Sequence, residues 1–96
     1  MALREDYDWD SLVNDSERLV IMELEKQLAT AEGQCVCQDC VLDMAAFALN
    51  NVKPSYRVSL LGSVYAKQSA KAEHAEAVRR AVEEAIKKVH ANPSHD

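Results

Sequence analysis

Apolar positions recur at helical spacing along most of this chain, and strict alternation is nearly absent. In SLVNDSERLVIMELEKQLATAEG, residues Leu12, Leu19, Met22, Leu24 and Leu28 fall near the 3.6-residue period. That predicts a first long helix, capped by Asn14 or Ser16 and ended by Gly33. Within it, Leu19-Val20-Ile21-Met22 is apolar on every side. A helix apolar all round is buried all round. In so short a chain this predicts burial against a second subunit.

A second helix is predicted from about Gln38 to Asn50. Val41, Leu42, Met44, Ala45, Phe47, Ala48 and Leu49 leave it little polar face, which makes it the expected central core helix. Asn50 and Asn51 suit its end, because Asn tolerates the left-handed conformation. Pro54 forbids helix at Lys53, so the chain turns or extends through KPSYRVSL. Val58 and Leu60 alternate with Arg57 and Ser59, a weak strand pattern. Val64, Tyr65 and Gln68 suggest a short helical turn. From Ala70 to His90 the composition is that of a strong helix former, with Val78, Val82, Ala85 and Val89 on one face. Glu83 with Arg79, and Glu84 with Lys88, have the spacing of paired charges on the opposite face. Before all this, Met1–Asp10 is polar with Leu3, Tyr7 and Trp9 interspersed, an arm suited to dock on the body or on a twin subunit. Residues 11–92 form the expected helical domain, and 93–96 a tail.

The 96 residues suffice for one domain, which buries a limited share of its surface. A metal or a partner subunit would help to stabilise it. Aromatic residues are only 5%, so the core must be built from Ala, Val, Leu and Met. The formal net charge of −5 argues against direct nucleic-acid binding, where phosphate attraction dominates. The opening MALREDYDWD lacks the apolar core of a signal peptide, and no run reaches the length of a membrane span. A cytoplasmic protein with reduced thiols and no membrane partner is expected.

All three cysteines lie between Cys35 and Cys40, as C-x-C-x-x-C. The Cys37–Cys40 spacing lets two thiolates reach one tetrahedral ion, and Cys35 adds a third from the preceding loop. Zinc prefers such a soft set, and a structural site has four ligands. The fourth is His74, His90, His95, a partner residue or water. Against this stands packing alone, since free cysteine is often simply buried. A thiol redox sensor is a further alternative.

No acidic residue occurs between Asp43 and Glu73, a window that holds Lys53, Arg57, Lys67 and Lys71. With Asn50, Asn51, Ser55, Tyr56 and Tyr65 it has the parts of an anion site. Arg grips phosphate bidentately, Tyr offers a flat face and a hydroxyl, and Pro54 stiffens the backbone. A solvated basic loop is the plainer alternative. His74 and His90 read most simply as surface residues. No carboxylate pair, Cys-His couple or Ser-His-Asp set has a spacing that demands catalysis, so an enzyme is the least supported class.

The run CVCQDCVLDMAAFALNNVKPSYRVSLLGSVYAK resembles the core of the ComFB family, named for a late competence development protein. The cysteine triad, the helix ending in Leu-Asn, Pro-x-Tyr, the Gly and Tyr-Ala-Lys occur in the family's order, and NDSERLVIMELEKQLA is similar to its first helix. The resemblance implies an all-α domain of three to four helices that forms a two-fold homodimer and holds zinc at Cys35, Cys37 and Cys40. Some members complete the site with a fourth cysteine that this chain lacks. It also implies a non-enzymatic receptor for cyclic di-GMP that relays the signal to an unidentified downstream protein. Chemistry then assigns Lys53, Ser55, Tyr56 and Arg57 to the dinucleotide, with Asn50, Tyr65 and Lys67 as secondary contacts. The rival is a zinc-stabilised structural or interaction module with no nucleotide.

Overall fold

The computed structural model describes residues 1–59 and 68–93. Helix α1 (Leu3–Asp6) and a 3-10 turn (Trp9–Ser11) form the arm. Strand β1 (Val13–Asn14) leads directly into α2 (Asp15–Leu28), followed by α3 (Gln38–Leu49), β2 (Tyr56–Arg57) and the long α4 (Gln68–Ala91). The domain is mostly helical, as expected, with one feature beyond the all-α expectation: β1 and β2 pair antiparallel, Val13 opposite Arg57 and Asn14 opposite Tyr56.

Helices α2 and α3 begin where local chemistry favours it. The Asn14 side chain accepts from the Ser16 amide at 3.1 Å and caps α2. Asp15 and Glu17 place negative charge in the first turn, where the helix dipole favours it. Cys37 caps α3, its Sγ accepting from the Cys40 amide at 3.4 Å. Helix α2 stops at Leu28, before the Gly33 terminator read from the sequence, and the Ala29 amide turns back to Glu25 O at 3.2 Å. Gly33 lies in the following turn with φ of +75°, a conformation that costs glycine little. Asn50 ends α3 in right-handed geometry, contrary to the left-handed expectation, and the Asn51 side chain donates to Phe47 O at 2.7 Å.

The core is one apolar cluster along the seams of three helices. Helix α4 packs on both α2 and α3, which also touch each other. It contributes Val78, Ala81, Val82, Ala85, Ile86 and Val89, more than Cys40, Met44 and Ala48 of α3 or Val20 and Leu24 of α2. The central helix is therefore α4 rather than α3. Its outward face carries Glu76, Arg79, Arg80, Glu83, Glu84, Lys87 and Lys88 in ion pairs at i, i+3 and i, i+4 spacing. The strand falls at Tyr56–Arg57, earlier than the alternation at Val58 and Leu60 suggested, and Val58 is exposed. Leu60, Val64, Tyr65 and Lys67 lie outside the described residues. No helix among the described residues is long and apolar enough to cross a membrane.

Candidate functional site

The loop from Lys53 to Arg57 is stapled to the start of α2. The Asn14 carbonyl oxygen that caps the helix also accepts from the Ser55 amide at 2.7 Å. The Asp15 amide donates to Ser55 O at 2.8 Å and continues the β1–β2 ladder. Ser16, fully buried, donates its hydroxyl to Lys53 O at 2.7 Å. Its one proton is then committed. His74 Nε2, at 2.9 Å from the same oxygen, must therefore carry the hydrogen and donate. One hydroxyl thus joins α2, the loop and the first turns of α4.

Arg57 donates through Nε to Asp15 Oδ2 at 2.7 Å, with the two side chains 22% and 13% exposed. Shielding makes the pair stronger than a surface ion pair. The contact uses the Nε edge, and no described residue accepts from Nη1 or Nη2. A guanidinium held from one side keeps a fork of donors for a planar anion. Asp15 Oδ1 is buried without a hydrogen-bond partner, an expense tolerated beside a cation at a helix N-terminus.

These contacts qualify the expectations drawn from the chain. Lys53, Ser55, Tyr56 and Arg57 do share one loop, with Lys53, Ser55 and Tyr56 exposed. Asn50 lines a different cleft, with Asp43, Phe47, Lys88 and Asn92, to which none of residues 53–57 contributes. Tyr65 and Lys67 lie outside the described residues. The acid-free window is acid-free only in sequence, because Asp15 enters it in space. His74 is half-buried and bonded rather than a plain surface residue. No motif in the sequence marks Asn14, Asp15 and Ser16 as site residues, and His74 enters there only as a candidate fourth metal ligand. The available signal was three hydrogen-bonding side chains in succession at a helix start, more than one cap requires.

The Sγ atoms of Cys35, Cys37 and Cys40 all lie within 4.8 Å of one another, and all three are reduced. Cys35 is half-buried, Cys37 exposed and Cys40 fully buried in the core cluster. Hydrogen bonds from the Cys37 backbone, then from the Cys37 and Cys40 side chains, lower the Cys35 pKa. This favours the thiolate that a metal needs. Tetrahedral zinc, with bonds of about 2.3 Å, sets its sulfurs about 3.8 Å apart, so the triad needs only side-chain adjustment. The donor set fits zinc. Neither His74 nor His90 lies in the cluster. His95 lies outside the described residues. Gln34 Oε1, next in the chain to Cys35, is a buried acceptor with no partner.

A small, mostly helical domain with a two-stranded clasp and a three-thiol cluster at a helix start defines the class: a small helical module whose three thiols can hold a metal ion. The chain belongs to the ComFB family, whose model, described as late competence development protein ComFB, matches residues 13–93. It is similar to the solved late competence protein ComFB from Bacillus subtilis, with 28% identity and a TM-score of 0.64, over 86% of this chain and 94% of that one. No curated protein sequence matches significantly.

Proposed function

We propose that this protein is a cytoplasmic receptor for cyclic di-GMP that acts by binding, without turnover, and relays occupancy to a partner protein. The observation that carries the reading is the clamped loop with Arg57 held by Asp15 from its Nε edge. A ligand of two phosphates and two guanines needs bidentate donors, a flat face and a backbone ordered in advance. Arg57 offers the fork, Tyr56, 64% exposed, offers the face, and the Asn14, Asp15 and Ser16 contacts supply the order. Lys53 adds positive charge and Ser55 a hydroxyl. Zinc at Cys35, Cys37 and Cys40 would tie the start of α3 to the loop before it. The working form is a two-fold homodimer.

Titration calorimetry on the purified protein checks this. Cyclic di-GMP binds with micromolar or tighter affinity, and Arg57→Ala weakens binding by about tenfold or more, the loss of a charge-assisted hydrogen bond of about 1.5–3 kcal/mol. Absence of heat at near-millimolar nucleotide in low salt, with the helical signal intact, overturns the reading. The cysteine triad and an exposed apolar groove would then favour a zinc-stabilised interaction module.

A further inference from the structure

Cys37 and Cys40 differ in a way that a metal site alone does not require. Cys37 is the N-cap of α3 and its side chain is exposed. Cys40 lies one turn on, at the third helical position, and is fully buried. The Cys40 amide points at Cys37 Sγ from 3.4 Å, so the backbone already holds the outer sulfur over the inner residue. Side chains three apart on a helix are neighbours, with Cβ atoms about 5–6 Å apart. A disulfide asks for Cβ atoms about 3.5–4.5 Å apart, and a helix's first turn is the easiest place to give that much. Cys35 is close in space but only two residues from Cys37, where a small ring forces strained geometry.

We propose that Cys37 and Cys40 form a reversible dithiol: a disulfide oxidant meets the exposed sulfur of Cys37, and the buried sulfur of Cys40 resolves the adduct. The step balances with glutathione disulfide. The Cys37 thiolate attacks one sulfur of the oxidant, forms a mixed disulfide and releases one glutathione thiolate. The Cys40 sulfur then attacks Cys37 Sγ and releases the second. The protein gives up two protons and two electrons, and the oxidant becomes two thiols. Closure consumes two of the three sulfurs of the cluster, so dithiol oxidation and metal retention exclude each other. This chemistry is independent of any nucleotide at the Lys53–Arg57 loop.

The test uses full-length metal-free protein, wild type and Cys35→Ser, equilibrated in glutathione redox buffers, alkylated and weighed intact. Cys35→Ser is expected to lose both alkylatable thiols without gaining glutathione and to recover them in excess reduced glutathione. Cys37→Ser stays unbridged. Fragmentation of the oxidised wild-type protein places the bond between Cys37 and Cys40, which holds even where a variant folds poorly. A wild-type bond that includes Cys35, or protein that accumulates only glutathione adducts, overturns the proposal.

Discussion

Ser16 joins three segments through one oxygen, which makes it the most consequential small residue in the molecule. Replacement by Ala leaves Lys53 O and the His74 N–H without their partner in a shielded place. An unsatisfied buried polar group costs about 1–3 kcal/mol, so Ser16→Ala lowers the denaturation midpoint by a corresponding amount. A midpoint unchanged within error would show that the hydroxyl holds nothing. Asp15 acts differently. Asp15→Asn keeps the shape but removes the charge that orients Arg57, so under the proposed function cyclic di-GMP binding weakens while the helical signal persists. Calorimetry on that variant reads the effect, and tighter binding would mean that Asp15 competes with the ligand. Of these roles, the Asn14 cap was legible in the sequence, because a cap is a local contact. Those of Asp15 and Ser16 were not. Their partners stand 42, 37 and 58 residues away, and no spacing rule reaches that far.

Legibility improves for the helices, where periodicity carries the signal. The stripe Val78, Val82, Ala85 and Val89 is buried along its whole length, and the pairs Arg79–Glu83 and Glu84–Lys88 form as their spacing implied. A two-residue strand is too short to show a period, so the weak alternation at Val58 and Leu60 does not mark the strand at Tyr56–Arg57. Met44 of α3 is fully buried, and Met44→Ala removes about 2–5 kcal/mol, read as a lower denaturant midpoint. On the outer face of α4, hydrogen bonds from Arg79, followed by its charge and the contacts of Arg80, lower the Glu76 pKa to about 2. A depressed carboxylate contributes stability that is fully present above its unfolded value, about 4.3, and is lost as pH falls through about 2. Acid titration in low salt, followed by thermal melting, therefore shows part of the stability of α4 disappearing across that window. Glu76→Gln removes that part of the slope, and added salt flattens it because the pairs are exposed.

At the scale of the molecule, what stands out is the apolar surface the fold does not cover. Val20 and Leu24 face the core, yet Ile21 and Met22, from the run that looked buried on every side, are 47% and 54% exposed. Trp9, Leu12 and Val13 stand beside them, and together these residues line an open groove of about 420 Å³. The arm does not fill it. Its indole donates to Leu3 O at 2.7 Å, folding the arm on itself, and none of its residues is buried. The occupant we propose is a second copy: a helix apolar on both faces needs a second apolar surface, and its twin supplies the same one across a two-fold axis. Glu17 and Arg18 on the groove's border have opposite charge, so each can meet the other's counterpart across that axis. The wild-type protein then sediments at twice the 10.7 kDa of one chain, and a double Ile21→Glu, Met22→Glu variant sediments at one. Both side chains are exposed in the single chain, so the substitution spares the core and the helical signal is retained. A wild-type protein that stays monomeric at high concentration, or a double variant that still dimerises, excludes this face as the interface.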